Sequence, residues 1–266
     1  MSKLWMVLAG AALFSVPRVA NASPIIYVDD TRGQIGTVDV ATGASTVVGP
    51  SGFILTDIAF NSAGSMFGID FTTLYSVNKT TGAAASIGGL GAGAGGMNAL
   101  VGNGSGLLGA SNANGNLYDI NTTTGAATAL VGSNPLPSAG DLAFHGGFLY
   151  EAAVNGGAGT TDLLRITLSG NTFTSVDLGA IVNNTGLFGL VNASDGNLYG
   201  VDGVNVFLIN TTTPGSSAIV SSYSGALLAA NGAASPTEAA VPEPATLTLL
   251  GTGLLFAARR RYSRRK

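Results

Sequence analysis

The residues with the most chemical potential in this chain are a few carboxylates. Asp57 and Asp141 each open a short apolar phrase, TDIAF and GDLAF, and Asn98 stands at the corresponding place in MNALV. Oxygens gathered from three such phrases would line a site for a hard cation such as Ca²⁺. Grouped carboxylates repel one another unless a cation or protons compensate. The competing reading lets each Asp accept backbone hydrogen bonds in its own turn, recurring because the phrase recurs. That reading carries more weight, since the chain has neither an EF-hand loop nor a glycine-aspartate nonapeptide. Asp57 and Asp141 are also the pair a two-carboxylate glycosidase would use, which needs a separation of about 5–9.5 Å. His145 lies in a turn, HGG, and reads as solvated. Glu151 follows Tyr150 in a strand-like run and reads as exposed or paired, with a buried acid of raised pKa as the alternative. There is no Gly-x-Ser-x-Gly, phosphate loop or His-Glu-x-x-His. GLGAGAG within 88–96 lacks the following helix that a dinucleotide loop requires and reads as a flexible connection. No residue is assigned a catalytic role and no cofactor is required, Ca²⁺ being the one open possibility.

Composition narrows the field further. The 266 residues contain no cysteine and one histidine, which excludes disulfide scaffolds, thiolate metal sites and Cys nucleophiles. Six of the eleven Lys and Arg fall in the last eight residues. Residues 23–244 hold three basic and all fourteen acidic residues, a net of −11. So acidic a body has almost nothing with which to neutralise phosphates, so nucleic acid is not a partner.

The carboxylates must be positioned by repeated hairpins. One pattern, a strand, Asn or Asp, a Thr-Gly type turn and a second strand, recurs five times: IGTVDVATGASTVVG (35–49), LYSVNKTTGAAASIG (74–88), LYDINTTTGAATALVG (117–132), LLRITLSGNTFTSVDLG (163–179) and VFLINTTTPGSSAIV (206–220). Its turn glycines, Gly43, Gly82, Gly125, Gly170 and Gly215, are spaced by 39, 43, 45 and 45 residues. Glycine supplies the positive φ and Thr, Asn and Asp the local hydrogen bonds of a tight reversal. A second hairpin precedes most copies, clearest in TDIAF-NSAGS-MFGID (56–70). Each unit is thus four short strands that cannot bury both faces alone, so several must pack around an axis. This predicts an all-β, five-bladed β-propeller of four-stranded blades over 23–233; a repeated β-sandwich is the rival. The first unit lacks its innermost strand, and GALLAANGA (225–233) is the segment able to supply it. With strands named a to d from the axis outward, the d-to-a and b-to-c connections share one face. Asp57, Asp141, Asp29, Asp30, Asp70, Asp162 and Asp202 all fall on it. Tyr27, Tyr75, Tyr118, Tyr150 and Tyr199 lie mostly in strands and are expected in the core.

The two ends read as addresses. Lys3, an apolar run from Leu4 to Val16 and the small-x-small triplet Ala20-Asn21-Ala22 form a secretory signal peptide over 1–22, cleaved by signal peptidase before Ser23. Residues 234–241 read as a linker. Pro242-Glu243-Pro244 then precedes an apolar run, Ala245–Ala258, and a basic cluster, Arg259, Arg260, Arg261, Arg264, Arg265 and Lys266. The run is short for a membrane helix, and the cluster would stay cytoplasmic and halt transfer.

This tail, over 242–266, resembles the PEP-CTERM sorting signal. The resemblance implies an exported protein, held in the cytoplasmic membrane through a C-terminal helix. A membrane protease of the exosortase type would then act near Pro-Glu-Pro and send the body to the cell surface or beyond. The blades also resemble β-propeller repeats of the Tyr-Val-Thr-Asn and quinoprotein-like kind, which bears on fold alone. The docking tryptophans of quinoprotein blades are missing, because Trp5 is the sole tryptophan, so a quinone is not expected. Together these readings favour a non-enzymatic binding or structural module of the extracellular matrix or envelope, with an unknown polysaccharide or protein ligand. The alternative is a secreted carbohydrate-active hydrolase or lyase working at the channel mouth.

Overall fold

A computed structural model describes residues 23–181 and 186–237. The predicted signal peptide, the end of the linker and the sorting segment lie outside the described residues. The described chain is a five-bladed β-propeller of four-stranded antiparallel sheets. The first blade joins β1 (Ile25–Asp30), β2 (Gln34–Asp39) and β3 (Ser45–Pro50) to β20 (Ala230–Ala234) from the end of the chain. The second holds β4 (Asp57–Phe60), β5 (Met66–Ile69), β6 (Thr73–Val77) and β7 (Ala84–Gly89). The third holds β8 (Met97–Asn103), β9 (Gly106–Ser111), β10 (Leu117–Ile120) and β11 (Ala127–Ala129). The fourth holds β12 (Ser138–His145), β13 (Phe148–Asn155), β14 (Thr160–Ser169) and β15 (Thr172–Ala180). The fifth holds β16 (Gly189–Asn192), β17 (Leu198–Asp202), β18 (Asn205–Leu208) and β19 (Ala218–Ser222). The ring closes as the sequence predicts, with β20 pairing β1 at Tyr27↔Ala234, Val28↔Ala233 and Asp29↔Gly232. The closing strand runs one residue further than GALLAANGA, so Ala234 belongs to the sheet rather than to the linker.

The repeat dictates the packing. Inner strands such as DIAF and MFGI are buried at every residue, because each faces a neighbouring blade on both sides. Outer strands such as β7, β15 and β19 are largely exposed. Buried side chains fall into five clusters, each spanning two adjacent blades. Ile69 and Leu74 of the second blade, for example, meet Met97, Leu100 and Tyr118 of the third. Ile26 and Val38 of the first meet Val201 and Val206 of the fifth, so the series has no open end. Tyr75, Tyr118, Tyr150 and Tyr199 are buried in these seams, as their strand positions predict, while Tyr27 is only half-buried against the seam of the first and second blades.

The c-to-d turns show why Asn or Asp recurs. Asn78 Oδ1 accepts the N–H of Thr80 and Thr81 at 2.9 and 3.1 Å, and Asn121 Oδ1 repeats this with Thr123 and Thr124. Gly82 and Gly125 then reverse the chain at φ 80° and 81°. The fifth turn differs. Pro214–Ser216 forms a single 3₁₀ turn, and Gly215 is not among the positive-φ glycines. Pro214, whose own φ is held in the helical range by its ring, opens that 3₁₀ turn, so the reversal takes another form.

Candidate functional site at the axial mouth

The innermost strands β20, β4, β8, β12 and β16 touch in sequence around the axis. Pairing registers align one residue from each: Ala233, Ile58, Leu100, Leu142 and Leu190, opposite Val28, Gly68, Gly109, Glu151 and Gly200. An innermost strand has no further strand to receive its inward N–H groups, and a buried unpaired N–H is costly. The five aligned N–H groups all end on two carboxylates. Asp57 Oδ1 accepts from Ile58 at 2.7 Å and Oδ2 from Leu100 at 2.5 Å. Asp141 Oδ1 accepts from Leu142 at 2.6 Å, and Oδ2 accepts from Leu190 at 2.5 Å and Ala233 at 3.3 Å. Each Asp therefore bridges its own blade to the next one, and Asp141 reaches the closing strand as well.

The position before each aligned residue explains how two acids fit. Around the ring it is Gly232, Asp57, Ala99, Asp141 and Gly189, so the acids alternate with small residues. Gly232 has no alternative, since an added Cβ would overlap Asp57 Oδ1 and lie 2.7 Å from Asp57 Cα. Asn98 is not in this ring. The β8–β9 register shifts between Met97 and Ala99, which moves Ala99 into the aligned place. Asn98 sits one residue outward, donating Nδ2 to Ser138 O at 3.3 Å while its Oδ1 has no partner.

Asp29, at the end of β1, completes the buried group. Asp29, Asp57 and Asp141 are all 0% exposed. Burial pushes the Asp57 carboxyl well up, and the charge of Asp141, a hydrogen bond to Asp141 and the charge of Asp29 push it further. Burial likewise raises Asp29, and the charge of neighbouring Asp30 adds to it. Burial and the mutual repulsion of these carboxyl groups both favour their protonated forms. Among the described residues no group of three or more His, Asp or Glu is arranged to hold a metal.

Asp70 and Asp162 serve their own connections, whereas Asp30 also ties the closing segment to the first blade. Asp30 accepts from the N–H of Arg32, Gln34 and Leu228, each at 2.9 Å. Asp70 accepts from Thr72 and Thr73 N–H, and Asp162 from Asn155 Nδ2 and Thr160 Oγ1. His145 lies at the other end of β12, with Nδ1 3.2 Å from Asn192 Oδ1, away from the carboxylates. Glu151 is the buried acid rather than the exposed one. It stands where three of the other blades have Gly68, Gly109 and Gly200 and the first has Val28, and burial pushes its pKa well up. Those glycines make room for Leu55, Met97 and Leu187. In the fourth blade the Glu151 side chain occupies its own slot, with Oε2 accepting from Asn134 Nδ2 at 2.5 Å. A glutamate in a glycine register was the available signal, visible only once the strands are aligned.

Above the carboxylates opens a cavity of about 300 Å³. Thr56, Gly140 and Asn231 line it, each immediately preceding Asp57, Asp141 or Gly232, so the acids lie beneath its floor. Its wall carries Asn98 and Asn112, and its rim Ile54, Phe71 and Phe188, which are 63%, 49% and 42% exposed. Among the described residues no charged side chain lines it.

The PEP-CTERM protein-sorting motif matches residues 240–265. No curated protein matches the sequence. Among solved structures, a protein of unknown function from Bacteroides caccae is 14% identical with a TM-score of 0.43, covering 74% of this chain and 72% of that one. One of unknown function from Bacteroides thetaiotaomicron VPI-5482 is 19% identical with a TM-score of 0.47, covering 74% of this chain and 55% of that one. The chain is thus a β-propeller carrying a PEP-CTERM sorting signal, which implies an exported protein anchored at its C-terminus before exosortase-type processing.

Proposed function

We propose that the propeller is a non-enzymatic binding module, displayed on or released from the cell surface, whose axial mouth takes an uncharged segment of an extracellular polysaccharide or protein. The observation that carries this is the lining of the mouth: exposed Phe71 and Phe188 faces beside Asn98, Asn112 and Asn231, with no charged side chain among the described residues that line it. Apolar walls with a few amides are the usual composition of a small-ligand pocket, and 300 Å³ lies at the small end of that range. The acidic body and the carboxyl groups under the floor disfavour anions. The buried acids support binding rather than hydrolysis. Their oxygens are occupied by backbone N–H groups, and neither acid has any exposed surface.

The test is an array of neutral glycans, uronic-acid glycans and matrix proteins, probed with the chain and with Phe71→Ala/Phe188→Ala. Binding to a neutral member, weakened at least about tenfold in the double variant, is the expected result. Unchanged binding by the variant, preference for uronic-acid glycans, or appearance of cleavage products would overturn the reading.

A further inference from the structure

We infer that, while the tail is anchored, the propeller is held with its a-to-b and c-to-d turn face against the membrane and its axial mouth pointing away. Strand direction sets the face from which the chain departs. The chain enters β20 beside the b-to-c connection of the first blade, where Thr31 N–H donates to Ala229 O at 3.0 Å. It leaves at Ala234, opposite Tyr27 near the start of β1. The N-terminal end of β1 lies at the same face, since Ser23 Oγ donates to Asp39 Oδ1 at 2.8 Å in the first c-to-d turn. The chain therefore departs toward the sorting motif from the face opposite the mouth. It also departs near the axis, because β20 is an innermost strand.

Length then removes the freedom to turn over. Residues 238–244 separate the described propeller from the apolar run at Ala245. Seven residues span at most about 25 Å. To bring the mouth to the membrane, the tether would have to cross a blade, three strand spacings of about 4.8 Å, and then climb its height. The six-residue strands of the first blade, from which the chain departs, rise about 20 Å. The path of about 34 Å exceeds the tether before any headgroup depth is added. The surface left facing the lipid is made of turns such as NSAGS (61–65), NKTTGA (78–83) and NTTTGA (121–126), rich in amides and hydroxyls. The exposed Phe53, Ile54, Phe71 and Phe188 of the mouth face are held outward, and the exposed apolar side chains nearest the lipid are Ile25 and Phe148. A partner of the mouth consequently arrives from the far side of the molecule. This inference rests on the sorting motif and strand order and does not depend on what the mouth binds.

The absence of cysteine makes a direct test possible. Single-cysteine variants of the full chain carry a fluorophore at Thr80→Cys or Thr123→Cys in the turn face, or at Ala113→Cys or Ala158→Cys in b-to-c connections of the mouth face. All four positions are exposed. In phosphatidylcholine/phosphatidylglycerol vesicles bearing nitroxide on the headgroups, the first pair should be quenched at least about threefold more strongly than the second. Equal quenching, or stronger quenching of the mouth pair, would overturn the proposal. Inserting twenty Gly/Ser residues after Thr237 should bring the two pairs toward equality. A ratio unmoved by that insertion would show that something other than tether length sets the orientation, and would overturn it too.

Discussion

At the scale of single residues, the axial acids answer a backbone problem. Five inward N–H groups have no strand to receive them, and two carboxylates take all five. Asp141→Ala would leave Leu142, Leu190 and Ala233 without an acceptor, at roughly 1–3 kcal/mol for each buried donor. We expect a loss of about 3 kcal/mol or more, a fall in Tm of roughly 6–12 °C for a domain of this size. Asp141→Asn, which keeps one acceptor oxygen, should lose less; equal losses in thermal melts would count against the N–H account. The protons held here also give stability a pH dependence. Asp29, Asp57 and Glu151 are raised by burial, so the folded chain retains protons that the unfolded chain has released. Their contribution is fully present below the unfolded carboxyl pKa and is lost as pH rises through the folded values. Each retained proton lowers stability by about 1.4 kcal/mol per pH unit over its window. Tm should therefore be higher near pH 4.5 than at pH 8, and a flat or rising curve would contradict it. Because N–H groups already face both carboxylates, millimolar Ca²⁺ should leave Tm unchanged; a rise of several degrees would establish the cation site instead.

At the scale of elements, the hairpins were legible and the seams between them were not. The Asn/Asp-Thr-Gly phrase announces itself because its hydrogen bonds are local, from Asn78 to Thr80 or Asn121 to Thr123. Blade number and the split first blade follow from counting that phrase. The alignment of Asn98 with Asp57 failed because a bulge of one residue leaves no trace in composition. The bridge from Asp141 to Ala233 spans 92 residues, and no local pattern encodes it. Turn glycines hide a second role of the same non-local kind. A Cβ on Gly82 would overlap Gly49 O of the preceding blade, and one on Gly125 would overlap Gly88 O. These glycines thus serve positive φ and close backbone approach together. Gly215, with ordinary φ and its nearest neighbour 3.7 Å from an added Cβ, serves neither. Gly82→Ala and Gly125→Ala should each cost about 1–3 kcal/mol, while Gly215→Ala should stay within about 0.5 kcal/mol. Denaturant melts that ranked all three alike would remove the distinction.

At the scale of the whole molecule, stability depends on the ring being closed. Each blade buries its faces only against two neighbours, and the five interblade clusters have no free end. The first blade is assembled from both ends of the chain, so β20 acts as a clasp, reinforced by Ala233 on Asp141 and by Leu228 N–H on Asp30. Removing residues 230–237 should therefore do more than subtract one strand. It exposes the edge of β1, strips Val191, Val201 and Ile58 of neighbours across two seams, and leaves the Asp57 side chain without the Gly232 backbone packed on it. A closed ring also has no preferred starting point. Tyr27 and Ala234 face each other across a strand pair, which brings the chain ends of the propeller to one face. A permutant joining Thr237 to Ser23 by a short Gly/Ser link, and opened between Gly146 and Gly147 in the exposed β12–β13 turn, should melt within a few degrees of the parent. The truncation, by contrast, should lose its cooperative transition. Should the truncated chain melt as cooperatively as the parent, or the permutant fail to fold while the parent does, closure by β20 would not be what holds the blades together.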